Sequence, residues 1–408
     1  MPGRLPEPLR EAGLIFLITR GALFLMAPLA YLTLPRVEPA GLDIPPLVIP
    51  ELTDTFSGLG HYFIDIWARW DSVWFLLIAD DGYARGDNST AFFPLYPLLI
   101  AILKPLFLGN GVLAGMFISL GCCLVAFYLL YRLVELDFDS DVARRSVLYL
   151  AIFPTSFFFQ AVYSESLFLA LTIGCLYLAR RHLLALACIT GSLATLTRSA
   201  GLLLLAPLAI MYLKDREWDW RSLRPDALYL LLVPLGLGVW MLYLYLKFGD
   251  PWLFTQAQHY WLREFTFPLE GLYQGFKATI SGIDKVVSTP DASYFPIIDR
   301  DPRLWATYDI MNFGFAITFL GLSIAAFWRL PLAYASYALV VLLLPLSYPS
   351  STVPLFSMPR FVLTAFPVFI LLALWGKERR WVDLTVTVTS LVFLGLLAAK
   401  FVTWTWVA

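Results

Sequence analysis

Charge is what this chain has least of. Asp, Glu, Lys and Arg make up 14% of its 408 residues, against about 25% in an ordinary soluble domain. Most of the chain therefore has no water to face. The formal net charge of −1 says nothing for or against nucleic acid, but no basic cluster points to it, and none is expected as a partner. Three histidines, none close to another in sequence, leave no histidine-built metal centre. Cys122, Cys123, Cys175 and Cys188 all sit inside apolar runs without ligand spacing. They read as small buried hydrophobes, not as zinc ligands or a disulfide framework. Soluble domains, linkers and low-complexity tracts are missing too.

What is present is apolar: 59% of residues are hydrophobic and 16% aromatic, and the mean hydropathy is +0.73. Lipid admits only helices and closed barrels, and barrels need short alternating strands. Long unbroken runs predict instead an all-α polytopic membrane protein. The first run, 13–34, matches the ~20 residues that cross a hydrocarbon core and exceeds the ~7–15 of a signal peptide. It reads as a retained anchor. Arg4 and Arg10 ahead of it place the N-terminus in the cytoplasm of a plasma-membrane protein. Arg20, inside the run, either snorkels or pairs with an acid in the bundle.

Further runs follow at 112–131, 226–247, 305–328, 331–346, 361–375 and 382–403. Two longer ones, 146–181 and 183–213, are interrupted at Tyr163-Ser164-Glu165-Ser166 and at Thr195–Ser199, so each reads as a hairpin. About eleven transmembrane helices result. Residues 92–108 are apolar but broken by Pro94, Pro97 and Pro105. Read as an interfacial helix, they leave the loop with Arg132, Arg144 and Arg145 inside, as the positive-inside rule prefers. The chain is thus read as a single integral-membrane domain over 1–408. Its outer loops are 35–111, 248–304 and 347–360, and Trp404 and Trp406 form an interfacial belt. Asp71, Glu165, Arg198, the 248–304 loop and Arg360 all fall on the outer face. A conduction path would spread polar groups across the bilayer depth. Five segments meeting on one side look like an assembled site.

Several ordered motifs now become recognisable. They are Arg69-Trp70-Asp71-Ser72-Val73-Trp74 with Gly82-Tyr83, Phe92-Phe93-Pro94-Leu95-Tyr96-Pro97 and Tyr163-Ser164-Glu165-Ser166-Leu167-Phe168. Thr197-Arg198-Ser199-Ala200-Gly201, Phe248-Gly249-Asp250-Pro251 and Ser357-Met358-Pro359-Arg360-Phe361 complete the set. In order, over about residues 60–375, they resemble the PIG-V family of GT-C-fold mannosyltransferases, whose eukaryotic member adds the second mannose of the GPI anchor. The resemblance implies a GT-C fold, a polyprenyl-phosphate sugar donor, a catalytic aspartate in the first outer loop, and a surface helix at 92–108. The chain is compact and looks like a prokaryotic-type homologue. The acceptor is therefore left as a glycolipid, glycan or protein, and GPI is not carried over.

On this reading Asp71 is the general base of an inverting hexosyl transfer, with mannose the first choice of sugar. A carboxylate must lie within ~3 Å of the acceptor hydroxyl whose proton it takes. Arg69 orients Asp71 or binds phosphate, and Trp70 is the adjoining aromatic contact. Asp80 and Asp81 are candidates for acceptor hydroxyls or a divalent ion, or simply a solvated turn. Arg198 and Arg360 are the phosphate candidates, because a guanidinium grips phosphate bidentately. Glu165 is either a substrate ligand or the structural partner of Arg198. His259, with Gln256, Trp261 and Arg263, touches sugar or lipid headgroup or is solvated surface. No cofactor is required, since charge on the departing phosphate can be stabilised without a metal. Two rival readings remain. A transporter or flippase predicts repeated topology and midplane charges, and a non-catalytic scaffold has no need of Asp71.

Overall fold

The computed structural model describes residues 6–35, 49–288 and 302–407. Arg4 and parts of the first and second outer loops (36–48 and 289–301) lie outside the described residues. Those described are helical throughout, with one isolated antiparallel bridge, Arg263 to Ser350, in place of a sheet. α1 (Glu7–Thr33) is followed by short pieces: α2 (Pro50–Thr53), α3 (Leu59–Phe63), α4 (Ser72–Asp81) and α5 (Leu95–Leu103). The central bundle is α6 (Gly111–Val134), α7 (Ser140–Ala151), α8 (Glu165–Arg180), α9 (Leu184–Thr197), α10 (Leu205–Lys214) and α11 (Leu232–Phe248). After α12 (Leu253–Gln256) and α13 (Pro268–Ser288) come α14 (Pro302–Ala326) and α15 (Leu332–Leu346). α16 (Met358–Phe361), α17 (Pro367–Glu378) and α18 (Arg380–Val402) complete the chain.

Among the described residues five helices are long and apolar enough to cross a membrane: α1, α6, Pro225–Phe248, Ala306–Ala326 and α18. A sixth span arises if α16 and α17, bent 79° from each other, count as one. The protein is multi-pass, but eleven full crossings are not what the structure displays. α7, α8, α9, α10 and α15 have 12, 16, 14, 10 and 15 residues. At 1.5 Å per residue that is roughly 15–24 Å, short of a core about 30 Å thick. The interruptions at Glu165 and Arg198 do not run out to a surface; they end inside the protein, where the polar groups meet.

Arg20 takes neither expected course. Its guanidinium is buried and donates to the carbonyls of Ala151 (2.5 Å) and Ser156 (2.6 Å). It thereby ties α1 to the last carbonyl of α7 and to the turn that follows it. α5, with nine residues, is too short to cross. It buries Tyr96 and Ile100 and leaves Leu98 and Ile102 exposed. The 248–304 segment contains α13, a 21-residue helix. Leu269, Tyr273, Phe276, Ile280 and Ile283, exposed along one side, carry the i+3/i+4 spacing that marks it. Trp404 is not a lipid-facing belt residue. It is 5% exposed and packs edge-on against Trp70 at 5.6 Å, with Trp406 against the same ring at 5.0 Å.

Candidate active site

Asp71 is aimed by a strained turn. Trp70 sits at φ 55°, unfavourable for a bulky residue and typical of over-determined functional positions. The Tyr163 hydroxyl clamps the turn from both sides. It donates to the Arg69 carbonyl and accepts from the Asp71 N–H, each at 3.2 Å. The Trp70 ring is wedged against Trp404 and Trp406. With Trp70 fixed, successive side chains diverge: Arg69 points one way and Asp71 the other, into a cavity of about 300 Å³.

Five charged side chains from five segments line that cavity: Asp71, Glu165, Arg198, Arg263 and Arg360. Four of them form a chain of alternating sign. Arg360 Nη1 lies 2.5 Å from Asp71 Oδ2, and its Nε lies 3.4 Å from Glu165 Oε1. The same Glu165 oxygen takes Arg198 Nη1 at 2.5 Å. Glu165 is the first residue of α8 and is 1% exposed. Arg198 follows the last residue of α9 in extended conformation (φ −157°, ψ 142°). The fold-back there requires Gly201: a Cβ on it would lie 2.3 Å from the Thr195 nitrogen. Arg360 is in α16, entered through Ser357 at φ 68°.

Arg263 is the fifth. Its strand-like neighbourhood is tied to the 347–360 segment by the bridge to Ser350 and by Ser351 N–H donating to the Leu262 carbonyl at 3.0 Å. The guanidinium donates to the Phe356 carbonyl at 3.1 Å and lies 5.3 Å from the Phe361 ring centroid. Among the described residues it has no carboxylate partner. Burial pulls its pKa down to about 10; the like charges of Arg360 and Arg198 add to the fall, and Asp71 opposes it. It stays protonated at neutral pH.

Around these charges the wall is aromatic near Phe92, Phe254 and Trp261, with Trp74 stacked on Phe92 at 5.5 Å. It is aliphatic near Val341 and Leu344. A larger cavity, about 660 Å³, lies at the opposite end of α8, lined by His182, Asp215, Arg216 and Asp226. There Arg216 is matched with Asp226 at 3.0 Å, and Arg224 also lines the wall. Size alone would choose that cavity; the buried charges choose the first.

The structure thus brings together Asp71, Glu165, Arg198 and Arg360, and leaves five other candidates away from the cavity. Arg69 is buried 4.7 Å from the Trp404 ring centroid and 3.4 Å from Asp54. Burial lowers its pKa, with Asp54 opposing. Trp70 supports the turn from behind. Asp80 pairs with Lys104, Asp81 is exposed at the end of α4, and His259 is exposed outside the lining. For Asp80, Asp81 and His259 the placement agrees with the solvated alternative. For Arg69 and Trp70 it does not: side chains diverge at the strained turn, so proximity to Asp71 in the chain does not carry into space. Arg263, read from its loop context as solvated surface, lines the cavity. Tyr163 lies in a quoted motif, but its hydroxyl clamp had no sequence signal. One group among the described residues has metal-ligand geometry: Asp54, His61 and Asp65, with ligand atoms within 4.8 Å of one another. Arg69, Thr55 and the Phe56 N–H already occupy its carboxylates, and it does not line the cavity.

A multi-pass helical protein with a buried arginine–carboxylate site is the class so defined. The sequence model described as Mannosyltransferase (PIG-V) matches residues 15–248, more than half the chain, and the protein belongs to that family. Asp71, Glu165 and Arg198 lie within the match; Arg263 and Arg360 lie beyond it. GPI mannosyltransferase 2 of Schizosaccharomyces pombe is 30% identical over 141 residues, 33% of this chain and 30% of that one. GPI mannosyltransferase pigv-1 of Caenorhabditis elegans is 32% identical over 123 residues, 26% and 18% of the two chains. The aligned part is therefore under a third of either relative. Among solved structures, the oligosaccharyltransferase of Archaeoglobus fulgidus in its apo form aligns with 94% of this chain and 55% of its own at 15% identity, with a TM-score of 0.39. The archaeal oligosaccharyltransferase AglB from the same organism, solved with an inhibitory peptide and a dolichol-phosphate, aligns at 13% identity, 94% and 56% coverage, and a TM-score of 0.38. At that distance the likeness places no individual helix.

Proposed function

We propose that the protein is a glycosyltransferase of GT-C type that moves a hexose, mannose first, from a polyprenyl-phosphate donor to an acceptor hydroxyl at the outer face of the plasma membrane. The observation that carries this reading is Asp71. One carboxylate oxygen is held by Arg360, and the other makes no hydrogen bond among the described residues, in a cavity that also holds Glu165 and three arginines. A fixed carboxylate with a free oxygen is the arrangement a general base needs. In the step itself the acceptor oxygen bonds to the anomeric carbon as its proton passes to Asp71. The anomeric carbon–oxygen bond to phosphate breaks, and its electron pair leaves with the polyprenyl phosphate. One displacement inverts the anomeric centre. Aromatic and aliphatic walls suit a sugar face and a prenyl chain, and family membership supports the sugar.

The test is transfer from radiolabelled polyprenyl-phosphate-mannose in purified membranes, wild type beside Asp71→Asn. Asparagine keeps the shape but takes no proton, so transfer should fall by roughly 10²–10⁴-fold with donor binding retained. Equal transfer by both proteins would remove Asp71 from the role of base.

A further inference from the structure

We infer that Arg263, from the second outer loop, is the residue that binds the donor phosphate in the ground state, and that Arg360 takes up the charge that develops on it during transfer. This rests on the glycosyltransferase reading above and assigns roles within that site. The reasoning is a charge inventory. Asp71, Arg360, Glu165 and Arg198 form a closed neutral set, each cation within 4 Å of a carboxylate. Arg198 and Arg360 already have their charge balanced by Glu165 and Asp71, so an anion seated on either in the resting site would add a third negative charge to a neutral set. Arg263 has no such partner among the described residues. Its hydrogen bond to Phe356 occupies one guanidinium nitrogen and offers no negative charge. It faces the same cavity as two like charges, so an anion there relieves repulsion as well as gaining a charge-assisted hydrogen bond.

The chemistry then balances. A polyprenyl-phosphate sugar is a phosphodiester with one negative charge, matching the single surplus guanidinium. Transfer turns it into a phosphomonoester, which gains a second charge as the anomeric bond breaks. In the same step the acceptor's proton neutralises Asp71, and Arg360, left with Glu165 alone at 3.4 Å, has its Nη1 freed. A second guanidinium is thus released as the second phosphate charge appears, and not before. Such timing stabilises the transition state more than the ground state, which is what accelerates a reaction.

The two arginines should separate in kinetics. Arg263→Gln should weaken binding of polyprenyl phosphate in detergent micelles, read by tryptophan fluorescence beside Trp261, by about 30-fold or more, and raise the donor KM in step. Arg263→Lys should recover part of the loss, and millimolar guanidinium should restore turnover to Arg263→Ala, which a structural role would not allow. Arg360→Lys should lower kcat while leaving the donor KM within about threefold. Arg85→Gln, an exposed arginine of the first outer loop, should match wild type. If wild type binds polyprenyl phosphate and Arg263→Gln binds it equally, the assignment is wrong while the enzyme reading stands. If Arg360→Lys raises KM and Arg263→Gln lowers only kcat, the roles are reversed. If wild type neither binds polyprenyl phosphate nor transfers sugar, both the assignment and the reading beneath it fall.

Discussion

The two ends of α8 carry the same kinds of side chain and use them differently. At the Glu165 end, Asp71, Glu165 and Arg360 are buried and Arg198 and Arg263 half-buried around a cavity, and one guanidinium is left over. At the Arg180 end the pairs are numerous and balanced. Arg180 binds Asp137, Lys377 binds Asp139, Arg329 binds Glu378, and Arg145 meets both Asp141 and Asp383. These groups are part-exposed, and water screens them. Exposed pairs contribute about 0–1 kcal/mol each, whereas breaking a buried one costs about 3–5 kcal/mol. Counting ion pairs would have pointed to the wrong end. Burial together with an unbalanced charge identifies the end where a ligand completes the inventory.

The comparison is tested hardest at Glu165, whose Oε1 serves two arginines. Glu165→Gln leaves Arg198 and Arg360 short of a negative charge in a buried site, and should lower stability by about 3–5 kcal/mol. The apparent melting midpoint of the detergent-solubilised protein would report it. Adding Arg198→Gln removes the surplus cation, so the double variant should regain most of the midpoint while remaining poor in transfer. If the single variant melts with wild type, the neutral chain is not a structural unit and the charge inventory loses its basis.

A smaller effect should come from Tyr163→Phe. The ring stays packed, and only the hydroxyl that joins the Arg69 carbonyl to the Asp71 N–H is lost. A hydrogen bond of this kind contributes about 0.5–1.5 kcal/mol, and the strained Trp70 turn beside it would relax. Turnover should fall about tenfold with donor binding unchanged, since the base is misaimed but the phosphate contacts remain. A change in donor KM with constant kcat would place Tyr163 in binding instead of positioning.

How far the site could be read from the chain follows from the same physics. Helices were legible because lipid forbids other backbone arrangements. The residues that interrupt them, Glu165 and Arg198, stood out because charge in an apolar run demands a reason. Asp71 and Arg360 came from ordered motifs. Arg263 was discounted because an arginine in an outer loop is usually solvated. Its burial depends on the 258–264 segment pairing with 349–351, a contact across nearly 90 residues with no periodic signature. Arg69 and Trp70 were overvalued for the opposite reason: nearness in sequence stood in for nearness in space until a left-handed residue separated them. The count of eleven spans is not confirmed: hydropathy sees apolar runs and not the short helices into which they break, and among the described residues five helices, six with the bent pair, are long and apolar enough to cross.

The gentlest test lies at the balanced end. Arg329→Gln removes one partner of an exposed pair with Glu378, both side chains over 40% exposed. Water replaces the lost contact, so the melting midpoint should move by less than about 1 kcal/mol in equivalent stability, and moderate salt should mask even that. Transfer activity should be unchanged, because nothing at this end lines the cavity. A marked loss of transfer with the fold intact would be informative out of proportion to the substitution. The two ends would then be coupled through α14, just beyond which Arg329 lies, and α17, which ends at Glu378. The neutral chain around Asp71 would no longer be set by its own members alone.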